Sequence, residues 1–302
     1  MTEHPSGVES EDSFQVGQPR STADAKRIWM YWEDFPGKHR APYLDLCLET
    51  IELHAGQMPV TVLDRRSVHN HIDLDRRRWD DLPNPVYRAD YARVRLLHAH
   101  GGLWVDFDTI ALRPLCQLLD NLADHDAVGF GQEIQGRFYN SILSSRPGSS
   151  VMASWLAQQD EAIARGIKGY AALGQDISWE MSTLAGHWHI EKVAPVMWWE
   201  WQRFCSRLES PSRILNASPI VIVLWNAAIG QSVATRTRAS LLKDNILLSS
   251  LFRIALGMTC PDEEETWLTQ LSWVNAIRYS RYAMAMHARR KRYTIRKQTG
   301  LP

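Results

Sequence analysis

Segments typical of strands and of helices alternate along the first structured part of the chain. The short apolar and aromatic run Arg27–Trp32 is typical of a buried strand, and Pro59–Leu63 is strand-like again. Between them, Pro42–His54 carries its apolar residues at helical spacing and is followed by Gly56, a residue that commonly ends helices. A strand, a helix and a second strand in this order favour a parallel sheet. We therefore expect an α/β fold with a mostly parallel central sheet and helical additions towards the C-terminus.

The next segments continue this alternation. Asn84 and Pro85 are typical of a helix start, since an N-cap residue is followed by proline at the first helical position. The helix should end at Gly101–Gly102, and a strand should follow over Leu103–Ile110. Further strands are expected at 126–130, 139–143 and 219–225, and an amphipathic helix at 149–165.

Composition limits the class of protein. The chain has 302 residues, 45% of them hydrophobic, which is enough for one large core or two modest ones. Lysine and arginine together number 34, and aspartate and glutamate together also number 34. The net charge therefore gives no indication of a nucleic acid partner, and we expect none. The four cysteines form no Cys-x-x-Cys pair, which argues against a zinc cluster.

Three parts are expected along the chain: a disordered polar segment at 1–25, a globular domain at 26–272 and a basic helical tail at 273–302. The first segment lacks the apolar core of a secretory signal. No apolar run is long enough to span a bilayer. We therefore expect a cytoplasmic protein.

Two acidic residues lie where the strand predicted after the glycines leads out into a polar edge. Asp106 and Asp108, called the aspartate pair below, are two positions apart, so in an extended chain their side chains point the same way and can reach one cation. Mg²⁺ and Mn²⁺ prefer oxygen ligands and often bind carboxylates together with substrate phosphates. A metal at this position can neutralise a diphosphate leaving group. An isolated pair of this kind is usually part of a solvated turn, so the neighbouring residues decide whether it is interpreted as a metal site.

The context is an ordered series of motifs before the aspartate pair. Asp90 and Arg93 are three residues apart and share one face of the predicted helix, and 100–104 (His-Gly-Gly-Leu-Trp) then leads to the pair. This order resembles the glycosyltransferases that carry a DXD sugar-binding region, and most closely the capsular polysaccharide synthesis family. Large clostridial glucosylating toxins share the pattern more distantly. The resemblance covers residues 27 to about 146, including Asn140.

The resemblance implies a GT-A type nucleotide-sugar-binding fold, Mn²⁺ or Mg²⁺ at the aspartate pair, a UDP-sugar donor and retention of anomeric configuration. It also implies donor contacts at Trp32, Asp90, Arg93, Asp106 and Asn140. The Asp90 carboxylate can accept hydrogen bonds from sugar or ribose hydroxyls, and the Arg93 guanidinium can bind phosphate oxygens. Without the flanking motifs, these two residues would be interpreted as a surface ion pair of little consequence.

Three further positions carry alternatives. In similar enzymes an aromatic residue near Trp32 stacks on the nucleotide base, but Trp29 and Tyr31 compete for that role, and core packing is the other interpretation. Gln175 and Asp176 resemble a Gln-Asp pair that lies near the donor sugar in related retaining transferases, and we include both with Asp90, Arg93 and Asp108 as candidate catalytic residues. Helix capping is the alternative for Asp176.

The chain departs from the resembled families at the third metal ligand. Many members place a histidine or an acidic residue after the last core strand, whereas the equivalent segment 224–228 here contains Asn226. We expect Asn226 to stand near the metal and to offer a neutral ligand. Metal binding without the donor diphosphate should then be weak.

The acceptor is expected to be a bacterial surface polysaccharide or a lipid-linked glycan. Alternatives are a toxin-like transferase that glycosylates a host protein, and a non-catalytic carbohydrate-binding protein. The tail carries eight basic residues between Arg278 and Lys297, with aromatic residues among them. This pattern predicts peripheral binding to an anionic membrane, and a solvated basic helix end is the alternative.

Overall fold

The computed structural model describes residues 26–34, 39–132, 137–181, 188–192, 204–205, 210–259, 271 and 273–299. The segment predicted to be disordered, 1–25, lies outside these residues. The strands are β1 (Ile28–Tyr31), β2 (Val60–Leu63), β3 (Gly102–Val105), β4 (Thr109–Ala111), β5 (Ala127–Gln132), β6 (Arg137–Ser145), β7 (Trp188–Lys192) and β8 (Val221–Val223).

Helices lie between and after these strands. They are α1 (Pro42–His54), α2 (Arg76–Asp80), α3 (Pro85–His100), α4 (Ser150–Ala164), α5 (Gln175–Met181), α6 (Ser212–Ala217), α7 (Asn226–Val233), α8 (Arg238–Lys243), α9 (Leu247–Ala255) and α10 (Trp273–Thr299). Short 3₁₀ helices occupy Ser67–Asn70 and Leu115–Ala123. None of the described helices is both long enough and apolar enough to cross a bilayer.

Six strands form the central sheet in the order β2-β1-β3-β6-β5-β7. The pairs β1–β2, β1–β3 and β5–β7 are parallel, and β6 runs antiparallel to both β3 and β5. Strands β4 and β8 form a separate antiparallel pair. The predicted α/β class with a mostly parallel central sheet is confirmed.

Helices cover both faces of the sheet, which explains why the residues of β1 are apolar throughout. Ile28 and Met30 belong to a core shared with α1 and α9, whereas Trp29 and Tyr31 belong to a second core shared with α3 and α4. All four side chains are buried. A strand covered on both faces needs a continuous apolar run rather than alternating polarity.

The helix before the aspartate pair begins and ends as predicted. The Asn84 side chain accepts hydrogen bonds from two backbone N–H groups of the first turn of α3. At the other end Gly101 and Gly102 have φ angles of 65° and 98°, which favour glycine. A Cβ atom on Gly101 would also lie 2.6 Å from the Pro147 side chain. This turn brings β3, and the aspartates after it, directly beside α3.

Two strand predictions need correction. The strand predicted over 103–110 is interrupted, because β3 ends at Val105 and β4 begins at Thr109 and pairs with β8 instead of the main sheet. The aspartate pair therefore lies in a turn between two sheets. The strand predicted over 219–225 is formed only by β8, because Trp225 adopts a left-handed φ of 57° and α7 starts immediately afterwards.

Candidate functional site

The aspartate pair lies at the carboxyl end of β3, the edge at which open α/β sheets bind ligands. The backbone N–H of Asp106 donates to the Ser141 carbonyl on β6 over 2.9 Å, and the Leu224 N–H donates to the Asp108 carbonyl over 2.8 Å. The turn is therefore held by the main sheet on one side and by the segment after β8 on the other.

Two donors converge on one oxygen of Asp106. Arg93 Nη2 lies 2.8 Å and Trp104 Nε1 lies 2.7 Å from Oδ1 of this carboxylate. The Asp106 side chain is 29% exposed, and no described residue donates a hydrogen bond to its other oxygen, Oδ2. The carboxylate is thus fixed in orientation through one oxygen, while the second is available to a ligand.

Arg93 bridges two carboxylates inside the protein. Besides contacting Asp106, its Nη1 lies 3.1 Å from Asp90 Oδ1, and its guanidinium lies 4.9 Å from the Trp104 ring centroid. The side chains of Arg93 and Asp90 are only 4% and 5% exposed. The alternative interpretation of Asp90 and Arg93 as a surface ion pair is therefore wrong, because both side chains are buried. Their direct contact with a donor stays a prediction.

Residues distant in sequence complete the surroundings of Asp90. Asn140 Nδ2 donates to Asp90 Oδ1 over 2.9 Å, and Gln175 Nε2 donates to the Phe138 carbonyl over 2.9 Å, which fastens α5 to β6. Gly174 packs so closely against Asn140 and Asp90 that a Cβ atom on this residue would lie 2.2 Å from Asn140 Nδ2 and 2.5 Å from Asp90 Oδ2. The fold therefore brings Asp90, Asn140 and Gln175 together.

Asp176 is exposed and is the second residue of α5 rather than its N-cap, so the capping interpretation is wrong. Its charge is among the causes that raise the pKa of Asp90, so its carboxyl group lies near Asp90. Its role towards a donor sugar stays a prediction.

Asp108 contacts the start of α7. Its Oδ2 accepts the backbone N–H of Asn226, and the Asn226 amide oxygen accepts the hydroxyl of the fully buried Tyr43. Asn226 therefore lies next to the aspartate pair. Its amide oxygen keeps a second lone pair after accepting one hydrogen bond. Whether it binds a metal stays a prediction.

Of the three aromatic residues at the end of β1, Trp32 is the one open to solvent. Trp29 and Tyr31 are 2% and 6% exposed and pack in the core. The partly exposed Trp32 ring lies 5.5 Å from the ring of Phe107, the residue between the two aspartates. Trp32 is thus the aromatic residue that can reach a ligand at the aspartate pair.

A buried ion pair fixes the segment that follows Trp32. Arg88 on α3 binds Glu33 through two hydrogen bonds of 2.7 and 2.9 Å, and the Tyr31 hydroxyl donates to the same carboxylate over 2.7 Å. Two parallel hydrogen bonds between a guanidinium and a carboxylate fix orientation as well as distance. Strand β1 and helix α3 therefore hold Trp32 in a defined place beside the aspartate pair.

Burial raises the pKa of all three carboxyl groups in the site. The pKa of Asp90 rises to about 7, and that of Asp108 rises to about 6 by burial and by the charge of Asp106. Burial also raises the pKa of Asp106, against the opposing charge of Arg93. Arg93 pairs with two of these three carboxyl groups, Asp90 and Asp106, and a divalent cation would supply further positive charge.

The donor set fits Mg²⁺ or Mn²⁺ in type. The aspartate pair offers carboxylate oxygens and Asn226 offers an amide oxygen, which are ligands that these cations prefer. Among the described residues, no group of three or more His, Cys, Asp and Glu side chains is arranged to hold a metal ion. Such cations commonly complete their coordination with water and substrate phosphates.

Sequence reasoning missed Tyr43 and Gly174. Tyr43 reads as an ordinary core residue of α1, and its contact with Asn226 spans 183 positions, so no local signal could reveal it. Gly174 directly precedes the Gln-Asp pair, and a glycine at that place could have indicated close backbone approach.

Comparison with known proteins agrees with the motif series. A family model described as "Capsular polysaccharide synthesis protein" matches residues 5–152, about half of the chain, and this region includes α3, the aspartate pair and Asn140. The predicted resemblance to this family is confirmed. The search of curated proteins gave no match.

Several solved structures are similar to the chain, at low identity. The PaToxG glycosyltransferase shares 15% identity with a TM-score of 0.36, and the match covers 86% of this chain and 85% of that one. The galactosyltransferase LgtC, solved with donor and acceptor sugar analogs, shares 15% with a TM-score of 0.39 and coverages of 80% and 99%. The glycosyltransferase GlyE of Streptococcus pneumoniae shares 11% with a TM-score of 0.41 and coverages of 82% and 64%.

Proposed function

We propose that this chain, which matches the capsular polysaccharide synthesis family over residues 5–152, is a metal-dependent glycosyltransferase with a GT-A type fold. It would move a hexosyl group from a nucleotide-sugar, a UDP-sugar, to a glycan hydroxyl. The observation that carries the proposal is the aspartate pair at the carboxyl end of β3. The buried Arg93 and Trp104 orient the Asp106 carboxyl group, the Asn226 backbone N–H contacts that of Asp108, and both groups have raised pKa values.

Asp106 and Asp108 would hold Mn²⁺ or Mg²⁺, with Asn226 as a neutral third ligand. When bound, the cation would offset the charge that develops on the diphosphate leaving group. Arg93 and Trp104 act on Asp106 rather than on the cation, because both donate to Oδ1 and so hold Oδ2 in place. Two carboxylates and one neutral amide are a weak ligand set, so the donor diphosphate should be needed for firm metal binding.

The remaining site residues would bind the donor. Trp32 lies beside Phe107 and would stack on the nucleotide base. Asp90 and Asn140 form one hydrogen-bonded unit, Gln175 holds α5 against β6, and the charge of Asp176 acts on Asp90. We assign this group to the donor sugar, with retention of configuration as the resemblance implies.

The acceptor would be a surface polysaccharide or its lipid-linked precursor. A toxin-like transferase would use the same donor site, so only the acceptor distinguishes the two. Incubation of host-cell extract with labelled donor, followed by mass spectrometry, would reveal a glycosylated host protein. A non-catalytic carbohydrate-binding protein is the other alternative, and absence of both transfer and donor hydrolysis with every nucleotide sugar would favour it.

A screen of nucleotide sugars by thermal stabilisation, with and without Mn²⁺, tests the proposal. One UDP-sugar together with Mn²⁺ should raise the melting temperature, while either alone should do so weakly. Asp108→Asn should abolish the joint effect. Asp124→Asn is the matched control, because Asp124 is exposed and precedes β5 at the opposite edge of the sheet. Equal stabilisation of wild type and Asp108→Asn would contradict the assignment of the metal site.

A further inference from the structure

Helix α10 concentrates positive charge. Its 27 residues include eight lysines and arginines and no aspartate or glutamate. The rest of the chain is left with 26 basic against 34 acidic residues, although the whole chain is neutral. A charge separated in this way points to an anionic partner for the helix.

One side of α10 holds the helix against the domain. Met286 is fully buried and packs on Gly257, and Arg290 Nη1 donates to the Gly257 carbonyl over 3.3 Å. Further along, the Tyr293 hydroxyl donates to Glu52 on α1 over 2.5 Å. These contacts fix which side of the helix faces outwards.

The outward side carries a stripe of apolar side chains. Ile277, Met284 and Ile295 are 38%, 66% and 48% exposed, and they are half of the large exposed hydrophobic residues in the described part of the chain. They are seven and eleven positions apart, which is about two and three helical turns, so they lie within about 20° of one another around the helix. Chance exposure would scatter them over several elements and faces.

Exposed basic side chains border this apolar stripe. Arg281, Lys291 and Arg292 project within about 60° of it at 100° per residue, and all three are exposed. A helix with an apolar stripe and basic flanks is the type that lies in a membrane interface. The stripe is too sparse for a coiled-coil seam, which needs apolar residues three to four positions apart, and eight positive charges on each helix would repel a second copy.

We infer that α10 binds the surface of an anionic bilayer, with Ile277, Met284 and Ile295 inserted at the boundary between headgroups and acyl chains and Arg281, Lys291 and Arg292 beside the lipid phosphates. This binding requires neither metal nor nucleotide sugar, so it stands or falls separately from the proposed function. It would hold the site near lipid-linked glycans.

Flotation of the full chain with vesicles tests the inference. Wild type should float with phosphatidylcholine vesicles that contain phosphatidylglycerol at low salt, should be released at high salt, and should not float with pure phosphatidylcholine. Each basic residue near an anionic surface strengthens partition about fivefold, so Arg281→Gln with Arg292→Gln should weaken it about 30-fold. Met284→Gln with Ile295→Gln should also prevent flotation. Val62→Gln, at an exposed valine on β2, is the matched control and should float like wild type.

Three results would overturn the inference. The first is absence of flotation of the wild type, and the second is flotation of the arginine variant equal to that of the wild type. The third is unchanged flotation of the Met284→Gln, Ile295→Gln variant; if this variant also loses a dimer in sedimentation, the stripe is a contact between two copies. The substituted side chains are exposed, so unchanged thermal unfolding should show that the variants fold.

Discussion

Replacing Asp90 with asparagine removes a buried charge and keeps the shape of the side chain. The amide oxygen of the new side chain can still accept the hydrogen bond from Asn140, and Arg93 still pairs with Asp106. Burial raises the pKa of Asp90 from its ordinary value of 3.8 to about 7 in the folded protein. The substitution therefore tests the effect of ionising this buried carboxyl group.

The sign of the effect follows from proton binding. Between about pH 4 and pH 7 the folded protein keeps the Asp90 proton and the unfolded chain releases it, so stability falls as pH rises through this range. A shift of about three pKa units makes the loss about 4 kcal/mol at pH 8 and about 2 kcal/mol at pH 5. Asp90→Asn lacks this loss. Its free energy of unfolding relative to wild type should therefore rise by about 2 to 3 kcal/mol between pH 5 and pH 8.

Denaturant unfolding of both proteins at pH 5 and pH 8, with a chelator present, measures this difference. Transfer by the same variant with Mn²⁺ and donor should fall by orders of magnitude, because the carboxylate is part of the proposed donor site. A difference in unfolding free energy that stays constant between the two pH values would refute the electrostatic reasoning. Activity close to wild type would show that Asp90 has no role in the reaction.

Four further predictions concern the same site. Asp108→Ala should abolish transfer and metal-dependent UDP binding while the fold stays intact, and a variant with half of the wild-type activity would contradict the metal assignment. Arg93→Ala should lower activity by orders of magnitude, which transfer rates measure. It should also lower the free energy of unfolding, measured by denaturant unfolding, by about 3 to 5 kcal/mol, because it leaves buried carboxylates unpaired. Gly174→Ala should reduce kcat at least about tenfold, because its Cβ would displace Asp90 and Asn140, and an unchanged kcat would argue against their role. Calorimetry should find weak Mn²⁺ binding without donor, and tight binding would imply a further strong ligand.

The sequence predicted the parts of this site that depend on neighbouring residues. Asn84 and the two glycines defined α3, and the spacing of the aspartate pair identified the acidic turn, because capping and turn chemistry are local. The turn between β3 and β4 was missed, since an apolar run cannot show that its second half joins another sheet.

Long-range packing decided the rest. The contact of Tyr43 with Asn226 and the approach of Gly174 to Asp90 join segments that have no local relation. The burial of Asp90 likewise depends on α4 and α5, which cover α3 from elsewhere in the chain. Periodicity identified Asp90 as a residue on a helix face but could not reveal that this face is covered.

The UDP-sugar that stabilises the protein in the thermal screen provides the most direct test of the central claim. Release of UDP from this donor is measured with Mn²⁺ and again with a chelator. Wild type and Asp124→Asn should release UDP only with the metal, through hydrolysis when no acceptor is present, and Asp108→Ala should release none. UDP release that continues at the same rate in the chelator, or in Asp108→Ala, would contradict a metal-dependent transferase centred on the aspartate pair.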